Sequence, residues 1–201
     1  MSKKIILLVL IVCIGILGYF SLNGNSVEIY IDGENVTSSS TISPIKGVNT
    51  EQLNMEVCDY VFNSMDSTNG DGITLKHDIQ MICAKHGLDK VNIKINSVLG
   101  ENKIPVQYHV DGNSMDPTLK NGQTVLLEKT KNIHVNDIVV ANSSEYGRIV
   151  KRVSQINGDN VYLVSDNKNV TYETIGNRIY ETKGITTWVN INDIYGVVVD
   201  Y

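Results

Sequence analysis

The fold is decided between residues 104 and 156, where four short apolar runs follow one another: IPVQYHV (104–110), TVLLEK (124–129), DIVVA (137–141) and RIVKRVSQI (148–156). Each is rich in β-branched residues, and none carries the 3.6-residue period of a helix. Turn-forming Gly, Asn, Asp and Pro residues separate them. Two later runs, NVYLVS (160–165) and IYGVVV (194–199), have the same character. Residues 104–201 are therefore expected to form one mainly β domain.

Upstream the pattern changes. Leu53, Val57, Tyr60 and Val61 recur at helical spacing, and so do Leu75, Ile79, Ile82 and Cys83, with Gly87 as a stop. VNIKI (91–95) alternates like a strand; VEIYI (27–31) reads either as a short strand or as part of a Ser/Thr/Asn-rich spacer. Residues 23–103 thus form a spacer and a small α+β region whose role the sequence does not reveal.

Residues 5–22 (IILLVLIVCIGILGYFSL) carry no charge. As a helix of ~1.5 Å rise per residue they would span roughly 27 Å, close to the hydrocarbon thickness of a bilayer. Lys3 and Lys4 precede the run, and no basic residue follows before Lys46. The expectation is a single-pass anchor in the cell membrane with residues 1–22 as cytoplasmic tip and span, and the rest outside. A cleaved secretory signal would have a shorter apolar core and a small-residue cleavage site, which this run lacks.

The net charge of −5 and the absence of a basic cluster exclude nucleic acid as a natural partner. At 42% hydrophobic and 19% charged, the chain can build a core. No CxxC or HExxH spacing calls for a metal, and no cofactor is expected. Between the two helical segments, Asn69, Asp71 and Asp78 occupy positions of a calcium loop, but Ser67 stands where its first carboxylate belongs; a Gly-rich turn explains the same letters. Cys58 and Cys83 fall one on each helical segment, as a disulfide or as two buried thiols.

The chemistry lies in Asp111-Gly112-Asn113-Ser114-Met115-Asp116-Pro117 and in Arg148-Ile149-Val150-Lys151-Arg152-Val153. Ser114 follows a strand and a tight turn, so its hydroxyl sits where the backbone bends. Gly112 and Asn113 stand there as turn and oxyanion support. Strict alternation puts Lys151 on the same face as Ile149 and Val153, pointing inward. A free lysine is neutral only about once in 2,500 at pH 7; burial is what would turn it into a base.

The pattern S-M-x-P-T-L, G-x-x-V, x-D-I-V-V, V-K-R-V and x-D-N resembles type I signal peptidases and the related self-cleaving SOS-type repressors, Ser/Lys serine peptidases with a common β core. The resemblance covers residues 104–201 and implies a β half-barrel, preceded here by one transmembrane helix and the small α+β segment. It implies that Ser114 is the nucleophile and Lys151 its general base, and that exported preproteins or peptides bind as an added strand. Asp166, in Ser165-Asp166-Asn167, would orient the lysine or only make a turn. The family's later Ser-Asp-Arg cluster is missing, and a serine found in some members two positions before the nucleophile is here Gly112. The expected activity is a membrane-anchored serine endopeptidase; the alternatives are a self-cleaving regulator and a non-catalytic surface module on the same fold. His77, His86, His109 and His134 are the other candidate bases.

Overall fold

The computed structural model describes residues 24–201 other than 69, 176–177 and 183, with backbone alone at 45 and within 171–182. The predicted span 5–22 lies outside the described residues. Among the described residues no helix is long and apolar enough to cross a membrane.

The chain opens with a hairpin of β1 (Ser26–Ile31) and β2 (Val36–Thr41). Helices α1 (Thr50–Met65) and α2 (Gly72–Lys85) follow, and β3 (Asn92–Ser97) then pairs with β1 in parallel. The three-stranded sheet has the order β2-β1-β3. α1 buries Leu53, Val57, Val61 and Met65, one stripe at four-residue spacing, and α2 buries Leu75, Ile79, Ile82 and Cys83. The Asn49 side chain caps α1 by accepting from the Gln52 N–H, 3.1 Å. The far end of α2 closes as a Schellman motif: the Leu88 N–H reaches the Cys83 carbonyl and the Gly87 N–H that of Ala84. Gly87 takes φ +77°, a conformation that a side chain resists.

Of the two readings of VEIYI the strand holds: it lies in β1, which is paired on both sides, by β2 and by β3. Cys58 and Cys83 are free thiols rather than a disulfide.

The larger sheet holds β4 (Pro105–His109), β5 (Thr124–Glu128), β6 (Ile138–Ser143), β7 (Gly147–Asn157), β8 (Asn160–Val164), β11 (Thr186–Asn190) and β12 (Ile194–Asp200). Its order is β11-β8-β7-β6-β12-β5-β4, antiparallel at every junction, and it curls into a half-barrel. A separate hairpin of β9 (Thr171–Ile175) and β10 (Arg178–Thr182) is inserted between β8 and β11.

Both faces of this sheet are covered. The larger core cluster runs from Val27, Leu53, Ile79 and Ile95 of the α/β unit to Val106, Leu127, Val140 and Val150 on one face. The smaller cluster holds Val139, Ala141, Ile149, Val153 and Leu163 on the other. The two units therefore share apolar packing, whose burial is the main source of stability in either.

Their junction also contains a buried lysine. Lys129, just past β5, is 3% exposed, and its Nζ donates to the carbonyls of Ser64, Met65 and Ser67 at the C-terminal end of α1. They lie at the negative end of the helix dipole, where the carbonyl of Ser64 also accepts from the Ser67 N–H at 3.2 Å. The same ammonium lies 4.4 Å from the Tyr195 ring centroid, and the Arg148 guanidinium lies 4.3 Å from it. The Tyr195 hydroxyl donates to the Met65 carbonyl at 2.6 Å.

Candidate active site

The loop after β4 is fixed before any chemistry is considered. The Val110 N–H donates to the Gln123 carbonyl at 2.8 Å, and the Gly122 N–H returns to Val110 at 2.9 Å. Met115 and Leu119 are fully buried and anchor the loop in the larger core cluster. Gly112 adopts φ +90°, and its N–H donates to the Asn121 side chain at 2.8 Å. Gly112 therefore supports the turn, while its own N–H is already engaged and unable to serve an oxyanion.

Ser114 sits half-buried on this loop, and its Oγ lies 2.7 Å from Lys151 Nζ. Lys151 is 2% exposed. It pairs with Val139 of β6, and Ile149 and Val153 flank it along β7, so the amine emerges from the apolar face that alternation predicts. The Val150 carbonyl at 2.9 Å is its other partner, and no carboxylate is among them. Burial without a counter-charge pushes the Lys151 pKa down to about 8. At that value about one amine in ten is neutral at pH 7. A neutral amine in contact with a serine hydroxyl can take its proton, the general requirement for activating such a nucleophile.

None of the four histidines shares a hydrogen bond with Ser114 among the described residues. His86 bonds Glu56, His77 lies beside Asp78, His134 lies beside Asp137, and His109 is exposed on β4.

Asp166 does not orient the lysine. Its carboxylate accepts from Arg152 Nε at 2.7 Å, from Arg152 Nη2 at 2.5 Å and from the Thr118 hydroxyl at 2.6 Å. The reason lies in strand geometry: Arg152 follows Lys151 on β7 and projects from the other face, where the segment after β8 passes. The Arg152 hydrogen bonds hold the Asp166 carboxyl below its usual value.

Asn113 supports the turn through its carbonyl, which accepts from the Asp116 N–H at 3.1 Å and from Asn167 Nδ2 at 2.9 Å. The Asn167 N–H also donates to the Ser114 carbonyl at 3.0 Å. In the sequence Thr118 and Asn167 stand only as letters of the S-M-x-P-T-L and x-D-N blocks, with no role attached, and Asn121 does not stand out at all. Their spacing from Ser114 carries no signal of its own, because each contact is made by loop closure.

The calcium-loop residues are otherwise engaged. The Asp71 carboxylate caps α2, accepting from the Ile73 and Thr74 N–H groups, and Asp78 accepts from the Tyr60 hydroxyl at 2.6 Å. Asn69 lies outside the described residues. Among the described residues no cluster of three or more His, Cys, Asp or Glu side chains could hold a metal.

Comparison with curated proteins and with solved structures found no match to either. Residues 79–187, more than half of the chain, match the family model described as Peptidase S24-like. The protein belongs to that family, which contains the repressor-type and signal-peptidase-like Ser/Lys peptidases.

Proposed function

We propose that the protein is a membrane-anchored serine endopeptidase that cleaves exported proteins, with Ser114 as nucleophile and Lys151 as general base. The observation that carries this reading is the 2.7 Å approach of a buried, uncompensated amine to a serine hydroxyl on a rigid turn. The apolar run at residues 5–22, behind Lys3 and Lys4, supports the anchor and an extracytoplasmic site.

In this mechanism a substrate peptide lies extended against the sheet, as an added strand. Neutral Lys151 takes the Ser114 proton as Oγ attacks the scissile carbonyl. The tetrahedral oxyanion then collapses, the C–N bond breaks, and Lys151 returns its proton to the leaving amine. Water attacks the acyl ester, loses a proton to Lys151, and releases the new carboxyl group as Ser114 recovers its hydrogen. A Ser-Lys pair is a recognised variant of the serine triad.

Family membership favours a second reading, a self-cleaving regulator. The chain has no Ala-Gly or Cys-Gly pair, since Ala84 precedes Lys85 and Ala141 precedes Asn142. The test is an intact-mass comparison of exported preproteins incubated with the full chain, its Ser114→Ala variant and its Lys151→Ala variant. The endopeptidase reading predicts truncated substrate with wild type alone. Truncation of the protein itself, at a rate independent of its concentration and with substrate intact, would replace it with the regulator reading.

A further inference from the structure

The turn that carries Ser114 is held from outside by one residue, Asn167, at two consecutive peptide units. The Asn167 side-chain amide donates to the Asn113 carbonyl, and its backbone N–H donates to the Ser114 carbonyl. Both peptide units are trans, since Asp116–Pro117 is the cis bond among the described residues. In a trans peptide the carbonyl and the N–H of one unit point in opposite directions. Drawing the Asn113 and Ser114 carbonyls toward Asn167 therefore turns the N–H groups of Ser114 and Met115 away from it. Neither N–H has a hydrogen-bond partner among the described residues. Successive backbone N–H groups turned to one side form an anion-binding concavity, here beside the Ser114 hydroxyl.

We propose that Asn167 is the positioning residue of the oxyanion site, holding the Ser114 and Met115 N–H groups where the tetrahedral oxygen forms. The inference rests on the peptidase reading. Gly112 N–H is ruled out as a donor by its bond to Asn121, and of the N–H groups that remain on the turn those of Ser114 and Met115 are the two whose peptide units Asn167 holds. Asn167 itself is tied down: its Oδ1 accepts from the Asn169 N–H at 2.9 Å, so the amide cannot rotate without losing that bond. The neighbouring Asp166 grips Thr118 on the same loop and Arg152 on β7, so one short segment after β8 fixes the nucleophile's turn relative to the base's strand.

The contribution should appear in the transition state and not in ground-state binding, because the oxyanion exists only there. The test uses the full chain and a library of peptides from a digest of unfolded protein. The peptide cleaved fastest by wild type and untouched by Ser114→Ala serves as the substrate. Asn167→Ala and Asn167→Asp are compared with wild type for kcat, KM and the pH dependence of kcat. Asp is nearly isosteric and keeps the acceptor for Asn169, but it lacks the donor to Asn113; it decides the question should the alanine variant fold poorly. Expected is a fall in kcat of about tenfold to a hundredfold in both variants with KM within about twofold, and in Asn167→Ala, which adds no charge, an unmoved pH midpoint. The proposal is overturned if Asn167→Asp retains kcat within about twofold at the plateau of its pH profile, if its loss lies in KM, or if the loss in Asn167→Ala comes with a displaced pH midpoint. Were wild type to cleave no peptide that Ser114→Ala spares, the peptidase reading itself would fall, and the inference with it.

Discussion

Lys151 and Arg152 are consecutive on β7, yet the first meets Ser114 and the second meets Asp166 on the far side of the strand. A period of two separates a base that must be neutral from a cation that is never neutral. The arginine's charge is compensated by a carboxylate; the lysine's is not. That difference keeps the amine's pKa low, and each of the following expectations depends on it or on the packing around it.

Lys151→Met should abolish cleavage and stabilise the fold. The pKa near 8 in the folded chain, against 10.5 for a free lysine, means that charging this site in the native state is unfavourable. The unfolded chain binds more protons between those two values, so native stability rises with pH across that window, and the full penalty is present below it. Replacing the amine by a similar apolar side chain should raise stability at pH 7 by about 1–3 kcal/mol. Chemical denaturation of the two proteins measures it; a less stable variant would mean the ammonium is well solvated in the native state.

Lys129→Met should do the opposite, although burial pushes that lysine too down to about 8. Its ammonium ties together three carbonyls at the end of α1, and methionine would remove that shared donor, leaving Met65 with the Tyr195 hydroxyl and Ser64 with the Ser67 N–H. A loss of about 1–3 kcal/mol is expected. Hydrogen exchange should locate the loosening at the last turn of α1, and unchanged protection there would refute the role given to this side chain.

Asp166→Asn should weaken the tie between the segment after β8 and β7. The carboxyl is held low by Arg152, so its contribution is present above the free value of 3.8 and is lost as pH falls through the folded value. The variant should be less stable than wild type at pH 7 by about 1–3 kcal/mol, and the gap should close toward pH 2. An equal gap at both pH values would indicate that charge is not the cause.

Much of this arrangement is readable from the chain, for reasons specific to each element. The apolar runs that became β4 to β8 and β12 show themselves because their side chains are divided between two buried faces. α1 and α2 show themselves by stripes such as Leu53, Val57 and Val61. β2, with the sequence VTSSST, has no apolar alternation; its strand character comes from pairing with β1, which a local reading does not contain. β9, β10 and β11 were not anticipated for the same reason. Lys151 was legible because Ile149 and Val153 flank it on its own face. Lys129 ends the apolar run TVLLEK next to Glu128, and its burial depends on a helix end 64 positions earlier in the chain. Asp166 was placed near the lysine by motif alone, whereas the face on which Arg152 emerges determines its partner.

The central claim is that Lys151 acts as an uncharged base, and the pH dependence of kcat tests it most directly. With a peptide substrate and the full chain, kcat should rise as the amine loses its proton, with a midpoint near the value of about 8 set by burial. A rate independent of pH from about 5 to 9, or a midpoint near ~6.5 where an ordinary histidine titrates, would contradict it.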